Sequence, residues 1–452
     1  MNIAIIGCGK IGGNLARELS FENHNITIID IDENIINNYI ENYDVAGISG
    51  NGASRYIQLE ARVDEADLVI AVTGFDELNL LCSVIAKKTG AKYTIARVRN
   101  PEYYDSTGFL QKELSLSMII NPDMISAKEI YNNIRFPMNA TIDAFANGKV
   151  ELIHFKILEN SPLINKSLMD ISKDFNKDVL VTIVNRKDEI IIPTGSFTLL
   201  EGDKISVMLK TIDLDKFIEY AKLRIKNIKN LMIIGASKIA YYLCMLLKKK
   251  NIDIKVIEKD IKRANEFANQ FENVTVINGD AYAKNLLLEE GITDMDAVIN
   301  LTNMDEENIV FGLFAKSIVS KGKVISKINK TSFDQVVNNL DLGDIINPNT
   351  LSSNMIIQYV RALQNSYGSS IEKLYKLMDD RVEALEFRIK SKNRLTGIKL
   401  IDLKIKSETL IGCINRKGTI IIPSGNDTIE VGDTVIIVTT NKLFDDIEEI
   451  LM

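Results

Sequence analysis

The chain is poor in the residues that most often carry chemistry: it has two histidines and four cysteines in 452 residues. His24 sits in the polar turn Glu22-Asn-His-Asn25 and His154 on the polar side of a strand-like alternation, so both read as solvated side chains. No cluster of His, Cys, Asp or Glu has metal-ligand spacing, and no Walker lysine is present. Cys8, Cys82, Cys244 and Cys413 include no C-x-x-C pair. Scattered cysteines in a chain with no secretion signal read as reduced, cytosolic thiols. Long apolar runs are also missing. The longest, Ile239–Leu247, is about half of the ~18 residues that a membrane-spanning helix needs. No charged-then-apolar leader precedes the first strand, which argues against secretion. A net charge of −7 without a long basic tract argues against nucleic acid as the main partner. No helix-turn-helix appendage is evident at either end.

What the chain has is one pattern written twice. Ile3-Ala-Ile-Ile-Gly7-Cys8-Gly9-Lys10-Ile11-Gly12 is a strand running into a full G-x-G-x-x-G turn. The same strand and turn return at Leu231-Met-Ile-Ile-Gly235-Ala236-Ser237-Lys238-Ile239-Ala240, an interval of 228 (235 minus 7). The register persists. Asp30 pairs with Glu258, Thr73-Gly-Phe-Asp76-Glu77 with Thr302-Asn-Met-Asp305-Glu306, and Asn185-Arg186-Lys187 with Asn415-Arg416-Lys417. Gly202-Asp203 likewise pairs with Gly432-Asp433. So long a period means duplicated domains and not a solenoid. At about 100–150 residues per domain the length allows roughly three or four, and the duplication favours four. The composition, 46% apolar and 25% charged, is that of an ordinary globular protein.

Each copy changes character partway. Through about residue 135, apolar runs (Ile3–Ile6, Ile26–Ile29, Val45–Ile48, Leu68–Val72, Tyr93–Val98) alternate with amphipathic stretches, such as the face Ile11, Leu15, Leu19. Repeated βαβ units with strands apolar on both faces predict a doubly wound parallel sheet. After Pro137 the alternation becomes period-two, and hairpin-type loops predict a small, strand-rich domain. The predicted class is α/β: two Rossmann-like doubly wound parallel sheets, each followed by a small α+β domain. The predicted domains are 1–138, 139–227, 228–370 and 371–452.

The first turn stands where a dinucleotide fingerprint must stand, after a strand and at the start of a helix, with Asp30 closing the next strand. Gly7 makes the tight turn, Gly9 lets the backbone approach a pyrophosphate, and Gly12 lets helix and strand pack closely. Asp30 would accept hydrogen bonds from the ribose hydroxyls and repel a 2′-phosphate, favouring NAD over NADP without separating NAD from ATP or ADP. Asn51, Thr73 and Arg97 fall at strand ends, where such sheets bind ligands. Taken singly, they also read as a turn residue, a helix N-cap and a surface cation. Their recurrence as Asp280, Thr302 and Lys327 favours a pocket. With no acid/base constellation in view, the nucleotide reads as a signal and not a reagent. The alternative is an NAD-dependent dehydrogenase with the strand-rich domain as substrate lid.

The turn, Asp30, Ala71-Val-Thr73 with Asp76-Glu77, and Ile95-Ala-Arg97 resemble the RCK N-domain. Ile190-Ile-Ile-Pro193…Glu201-Gly-Asp203 and its twin Ile420-Ile-Ile-Pro423…Val431-Gly-Asp433 resemble the RCK C-domain. Two such pairs in tandem resemble the peripheral subunits of Trk potassium-uptake systems, the TrkA family, over essentially the whole length; single-pair relatives such as KtrA are about half as long. The resemblance implies a cytosolic, peripheral subunit on the inner face of the membrane, forming a homo-oligomer (dimer or tetramer) under a TrkH/TrkG-like potassium-translocating protein. It further implies NAD(H) and adenine-nucleotide binding that controls ion flux. Carried over residue by residue, the nucleotide contacts are Gly7, Cys8, Gly9, Lys10, Ile11, Asp30, Asn51, Thr73, Gly74 and Arg97. In the second copy they are Gly235, Ala236, Ser237, Lys238, Ile239, Glu258, Asp280, Thr302 and Lys327.

The copies are not equivalent. Ser237 and Ala240 replace the second and third glycines and Lys327 replaces the arginine, which loses planar bidentate geometry. The second site is therefore expected to be weaker, re-purposed or empty. A helix expected at Ile125–Phe136, and its counterpart after Asn347-Pro348, present Ile130 and Ile134, and Ile356 and Val360. These faces suit either packing between neighbouring molecules or capping of their own domains.

Overall fold

The structure, a computed structural model, describes the chain except residues 23, 104–105, 136–139, 176–177, 224–227, 320–321, 330–339, 341, 367–370, 378–380, 442–443 and 445. The first copy opens with strands β1 (Asn2–Ile6), β2 (Asn25–Asp30), β3 (Val45–Ser49), β4 (Leu68–Ala71), β5 (Tyr93–Arg97) and β6 (Met118–Ile120). They pair in parallel in the order 3-2-1-4-5-6, the doubly wound arrangement. Helices α1 (Lys10–Ser20), α2 (Glu33–Asn42), α3 (Arg55–Glu60), α4 (Asp76–Thr89), α5 (Thr107–Glu113) and α6 (Pro122–Arg135) connect or follow them. Ile3–Ile6 and all of β4 are buried, as strands covered by helices on both faces must be. The expected face Ile11, Leu15, Leu19 is buried against that sheet.

A small antiparallel sheet follows: β7 (Ala140–Phe145), β8 (Val150–Lys156), β9 (Val179–Arg186), β10 (Glu189–Ile191) and β11 (Lys204–Lys210), in the order 10-9-11-8-7. Helices α7 (Leu168–Asp174) and α8 (Leu214–Tyr220) accompany it. The second copy repeats both sheets. Strands β12 (Asn230–Ile234), β13 (Asp253–Glu258), β14 (Val274–Asn278), β15 (Ala297–Asn300), β16 (Lys323–Lys327) and β17 (Asp344–Ile346) are ordered 14-13-12-15-16-17. They alternate with α9 (Lys238–Leu247), α10 (Ile261–Ala268), α11 (Lys284–Glu289) and α12 (Asp305–Ile318), and α13 (Pro348–Ser366) leads onward. The last sheet holds β18 (Ile371–Leu377), β19 (Val382–Arg388), β20 (Thr409–Arg416), β21 (Thr419–Ile421) and β22 (Thr434–Thr439), ordered 18-19-22-20-21. The two Rossmann-like parallel sheets, each followed by a small strand-rich domain, are as the sequence predicts.

The pairing of copies is not visible in the sequence pattern. The chain falls into two compact units, residues 1–134 with 227–357, and 135–226 with 358–452. The expected domain boundaries at 138, 227 and 370 lie outside the described residues. Within the first unit, Met124, Ala127, Ile130 and Ile134 of α6 share one core with Ile239, Tyr242 and Leu243 of α9. Asn121 Nδ2 donates to the Tyr242 hydroxyl (2.9 Å), which donates to the Arg99 carbonyl (3.2 Å). The face at Ile130 and Ile134 thus packs on the second copy of the same chain, in place of capping its own domain or meeting another molecule. Phe136, the expected helix end, lies outside the described residues.

In the second unit the two antiparallel sheets share a core. Phe145, Leu152, Ile183 and Met208 pack with Val382, Ala384, Cys413 and Ile436, and the rings of Phe145 and Tyr375 lie 4.2 Å apart. On this shared face His154 departs from expectation. Its Nδ1 lies 2.6 Å from Ser206 Oγ and its Nε2 2.9 Å from Asp143 Oδ2. The array has the connectivity of a nucleophile relay, but Ser206 is wholly buried and cannot meet a substrate. Period-two alternation marks which residues share a face; it does not say whether water or a second sheet covers that face. His24 is likewise buried, beside the amino terminus.

Candidate functional site

The first turn is built by its glycines. Gly7 has φ +96°, and its N–H donates to the Ile29 carbonyl (2.8 Å), tying β1 to β2. A side chain is strained at that φ. A Cβ on Gly12 would overlap the Gly7 carbonyl oxygen, so the close approach of α1 to the turn requires glycine there. A Cβ on Gly9 would meet nothing within 4 Å. That open space lies at the start of α1, and Gly9 supplies no side-chain cap. Unsatisfied helix N–H groups beside an open space form a cradle for an anion. Asp30, ending β2, accepts from Cys8 N (2.6 Å) and Asp32 N (3.0 Å). The turn and the strand-end carboxylate are therefore held together, and the residues fit the phosphate and ribose of a nucleotide.

Thr73 and Arg97 line the same cleft as Gly9. Asn79 organises both: its Oδ1 accepts from Thr73 N (2.7 Å) and Thr73 Oγ1 (2.7 Å), and its Nδ2 donates to the Arg97 carbonyl (2.9 Å). Arg97 Nη2 donates to the Thr73 carbonyl (2.6 Å). Arg97 is not a surface cation. Its Nε is buried with no hydrogen-bond partner, and burial, then the neighbouring Arg99, lower its pKa. Gly9, Lys10, Ile11, Thr73, Gly74, Arg97 and Arg99 line one cleft of about 290 Å³, and Lys327, Asn329 and Asn349 of the second copy close it. Arg99 is paired with Asp123 (Nε–Oδ2 2.8 Å). The pKa of Lys327 is lowered by burial and, among charges, by Arg99 and Lys10. Cations that are desolvated and crowded this way are stabilised by a bound anion.

Lys327 was expected in the second copy's own nucleotide site. It lines the first copy's cleft instead, as does Ile239. Gly235, Ala236, Ser237, Glu258, Asp280 and Thr302 do line one cleft, together with Lys259, Arg263, Tyr282, Met304, Glu307 and Phe311. Lys238, carried over to that site, is exposed and is not among its lining residues. Glu258 accepts from Ala236 N (2.9 Å), Asp260 N (2.9 Å) and Arg263 Nη2 (3.0 Å). Asn51 and Asp280 act in both copies as turn residues, each accepting from the N–H two positions on (2.9 Å in both).

Sequence reasoning missed Asn79, Arg99 and Asp123. The signal for Asn79 was present in the duplication, because Asn308 follows Thr302 as Asn79 follows Thr73 and makes the same bond to the threonine N–H (3.0 Å). The four cysteines are free and buried, and burial pushes each thiol up to about 12. Cys8, in the turn itself, thus stays a protonated thiol and not a nucleophile. Among the described residues, no group of three or more His, Cys, Asp or Glu could hold a metal ion.

This geometry agrees with what the chain is similar to. The TrkA-N domain family matches residues 3–122 and 231–348, and the TrkA-C domain family residues 152–222 and 384–452. The Trk system potassium uptake protein TrkA homolog 1 of Methanosarcina mazei is 31% identical, with 99% of each chain covered. The TrkA homolog of Archaeoglobus fulgidus is 31% identical over 100% of both chains. TrkA of Vibrio alginolyticus is 28% identical over 98% of this chain and 97% of that one. Among solved structures, the GsuK channel bound to NAD superposes with TM-score 0.64 at 16% identity, over 98% of this chain and 77% of that one. The GsuK RCK domain gives TM-score 0.64 at 16% identity, over 98% and 92%. At such identities the likeness is one of fold. The family is regulatory and not enzymatic, which sets aside the dehydrogenase alternative. With both domain types matched twice, in the same order and along the whole chain, this protein belongs to the TrkA family of Trk potassium-uptake proteins.

Proposed function

We propose that the chain is a cytosolic, nucleotide-sensing subunit that controls a potassium-translocating membrane protein of the TrkH/TrkG kind. In this reading NAD(H) or an adenine nucleotide binds the first copy: Asp30 takes the ribose hydroxyls, and the open turn at Gly9 takes the phosphates. The single observation that carries the reading is the cleft at that turn, where Lys10, Arg97 and the second copy's Lys327 converge on one space. An anion there would contact both copies at once. Its binding energy would therefore favour one relative arrangement of the copies over others, and a ligand shifts an equilibrium only through such differential contact. That arrangement is the signal passed to the membrane partner. In this reading ion passage belongs to the partner; among the described residues no helix of this chain is long and apolar enough to cross a membrane.

The test is a thermal-shift panel of NAD⁺, NADH, ATP, ADP and NADPH on the full chain, with NADH absorbance followed in parallel. Stabilisation by at least one of the first four, with no cofactor consumed, is the expected result. Turnover at ordinary enzyme rates, around 1–1000 per second, would refute a sensor. The reading also places the chain in a homo-oligomer, a dimer or tetramer. Because Ile130 and Ile134 are used within the chain, another surface must carry association. Light scattering with and without NADH should give about two or four times the 50.6 kDa of one chain, and a monomer in both conditions would end the homo-oligomer.

A further inference from the structure

The second copy has lost two of the three glycines, but its cleft is furnished differently and not merely eroded. In the first copy the turn ends at Gly9, with open space at its Cβ position and no side-chain cap on α1. In the second, Ser237 holds that place. Its N–H donates to the Gly235 carbonyl (2.9 Å), and its Oγ accepts from Ala240 N (3.3 Å). The chain itself satisfies donors that would otherwise face a pyrophosphate, and the serine side chain fills the space that pyrophosphate would need.

The nucleoside side has been enriched instead. Tyr282 and Phe311 stand with ring centroids 5.0 Å apart on one wall, and Tyr282 is 54% exposed into a cleft it shares with Met304. At the other end Glu258 is held in place by Ala236 N and Asp260 N, with Arg263 against it. The register of the duplication puts Ala53, Cys82 and Ile35 at the places of Tyr282, Phe311 and Arg263, so these three groups are peculiar to the second copy. An exposed aromatic wall takes a planar base, and a fixed carboxylate takes a diol. The cleft measures about 250 Å³, just under the roughly 300–1,000 Å³ of drug-sized sites, which suits a small ligand.

We propose that the second-copy cleft binds a purine nucleoside or its 5′-monophosphate, and that its self-capped turn rejects the pyrophosphate-bearing nucleotides read by the first copy. The full chain would then report two different signals, one at each copy.

Calorimetry on the full-length protein tests this with adenosine, AMP and NADH as probes. With NADH saturating, AMP or adenosine should still bind at one per chain. Equal affinities would mean that the base and ribose do the binding, and tighter AMP would place one phosphate near Ala236; both results support the site. Tyr282→Ala should weaken AMP about tenfold or more through lost stacking and leave NADH binding unchanged. The double variant Ser237→Gly, Ala240→Gly, checked for an unaltered far-UV spectrum, should raise NADH stoichiometry from one to two per chain. The proposal falls if neither adenosine nor AMP binds at millimolar concentration. It also falls if NADH displaces AMP one for one and Asp30→Ala abolishes both, or if wild-type protein already binds two NADH per chain. AMP bound at one per chain and lost in Tyr282→Ala would uphold it even if NADH did not bind at all, so the two readings fail separately.

Discussion

Asp30→Ala is expected to weaken NADH binding to the first copy by about 10- to 150-fold, the equivalent of about 1.5–3 kcal/mol. Two ribose hydroxyls lose a charged acceptor, and hydrogen bonds to charged groups lie at the strong end of the range. The substitution also frees the N–H groups of Cys8 and Asp32, which the carboxylate holds at 2.6 and 3.0 Å. Some of the loss could therefore come through the turn and not the ribose. Asp30→Asn separates the two contributions. It keeps an acceptor for Cys8 N but loses the one for Asp32 N together with the charge, so without ligand it should melt between Asp30→Ala and the wild type and still lose most of the affinity. Calorimetry on the three proteins is the measurement. Unchanged affinity in Asp30→Ala would remove the residue from the site.

Asp203→Ala is expected to destabilise the first small domain by about 3 kcal/mol. The carboxylate is 1% exposed and accepts from Arg186 Nε (2.8 Å), Arg186 Nη2 (2.7 Å) and Leu200 N (2.9 Å). Removing it strands a guanidinium and a backbone donor that the turn at Gly202 was shaped to satisfy. Arg186 keeps 28% of its side chain exposed, so part of its charge stays hydrated. That holds the effect at the low end of the 3–5 kcal/mol typical of broken buried pairs. The twin, Asp433, accepts from Arg416 Nε (3.0 Å), Arg416 Nη2 (2.8 Å) and Glu430 N (2.8 Å). Asp433→Ala should therefore cost a similar amount. Denaturant midpoints of the two variants check both claims together, and a midpoint within error of wild type for either would show that the pair is worth little there.

These twin pairs also mark what is legible in a sequence. Asn185-Arg186-Lys187 with Gly202-Asp203, and the corresponding residues of the second half, could be matched by register alone, and the structure joins the arginine to the aspartate in both. The repeat also exposes the exchange of Gly9 for Ser237, because the function of a turn residue depends on its immediate neighbours. Asn79 and Asn308 were equally available to that comparison but lie inside helices, where an asparagine draws no notice until its bond to the threonine N–H is seen.

What the sequence by itself determined is the local grammar. Four domains in two alternating types, the parallel and antiparallel sheets, the fingerprint turn and the acid that closes the following strand all follow from periodicities of 2 and 3.6 and from glycine placement. Only the tertiary structure decided which copy covers which. The apolar face of α6 is evident as a pattern, yet its partner is α9 of the other half. Lys327 aligns with Arg97 but lines the first copy's cleft, and His154 is largely buried, held between Asp143 and Ser206. The physical reason is common to all three. Periodicity says that a face must be buried, since leaving apolar area in water costs roughly 25 cal/mol per Å². Either copy could provide the cover at the same cost in area, so the choice rests on the complementarity of two assembled surfaces, which no single stretch of chain contains.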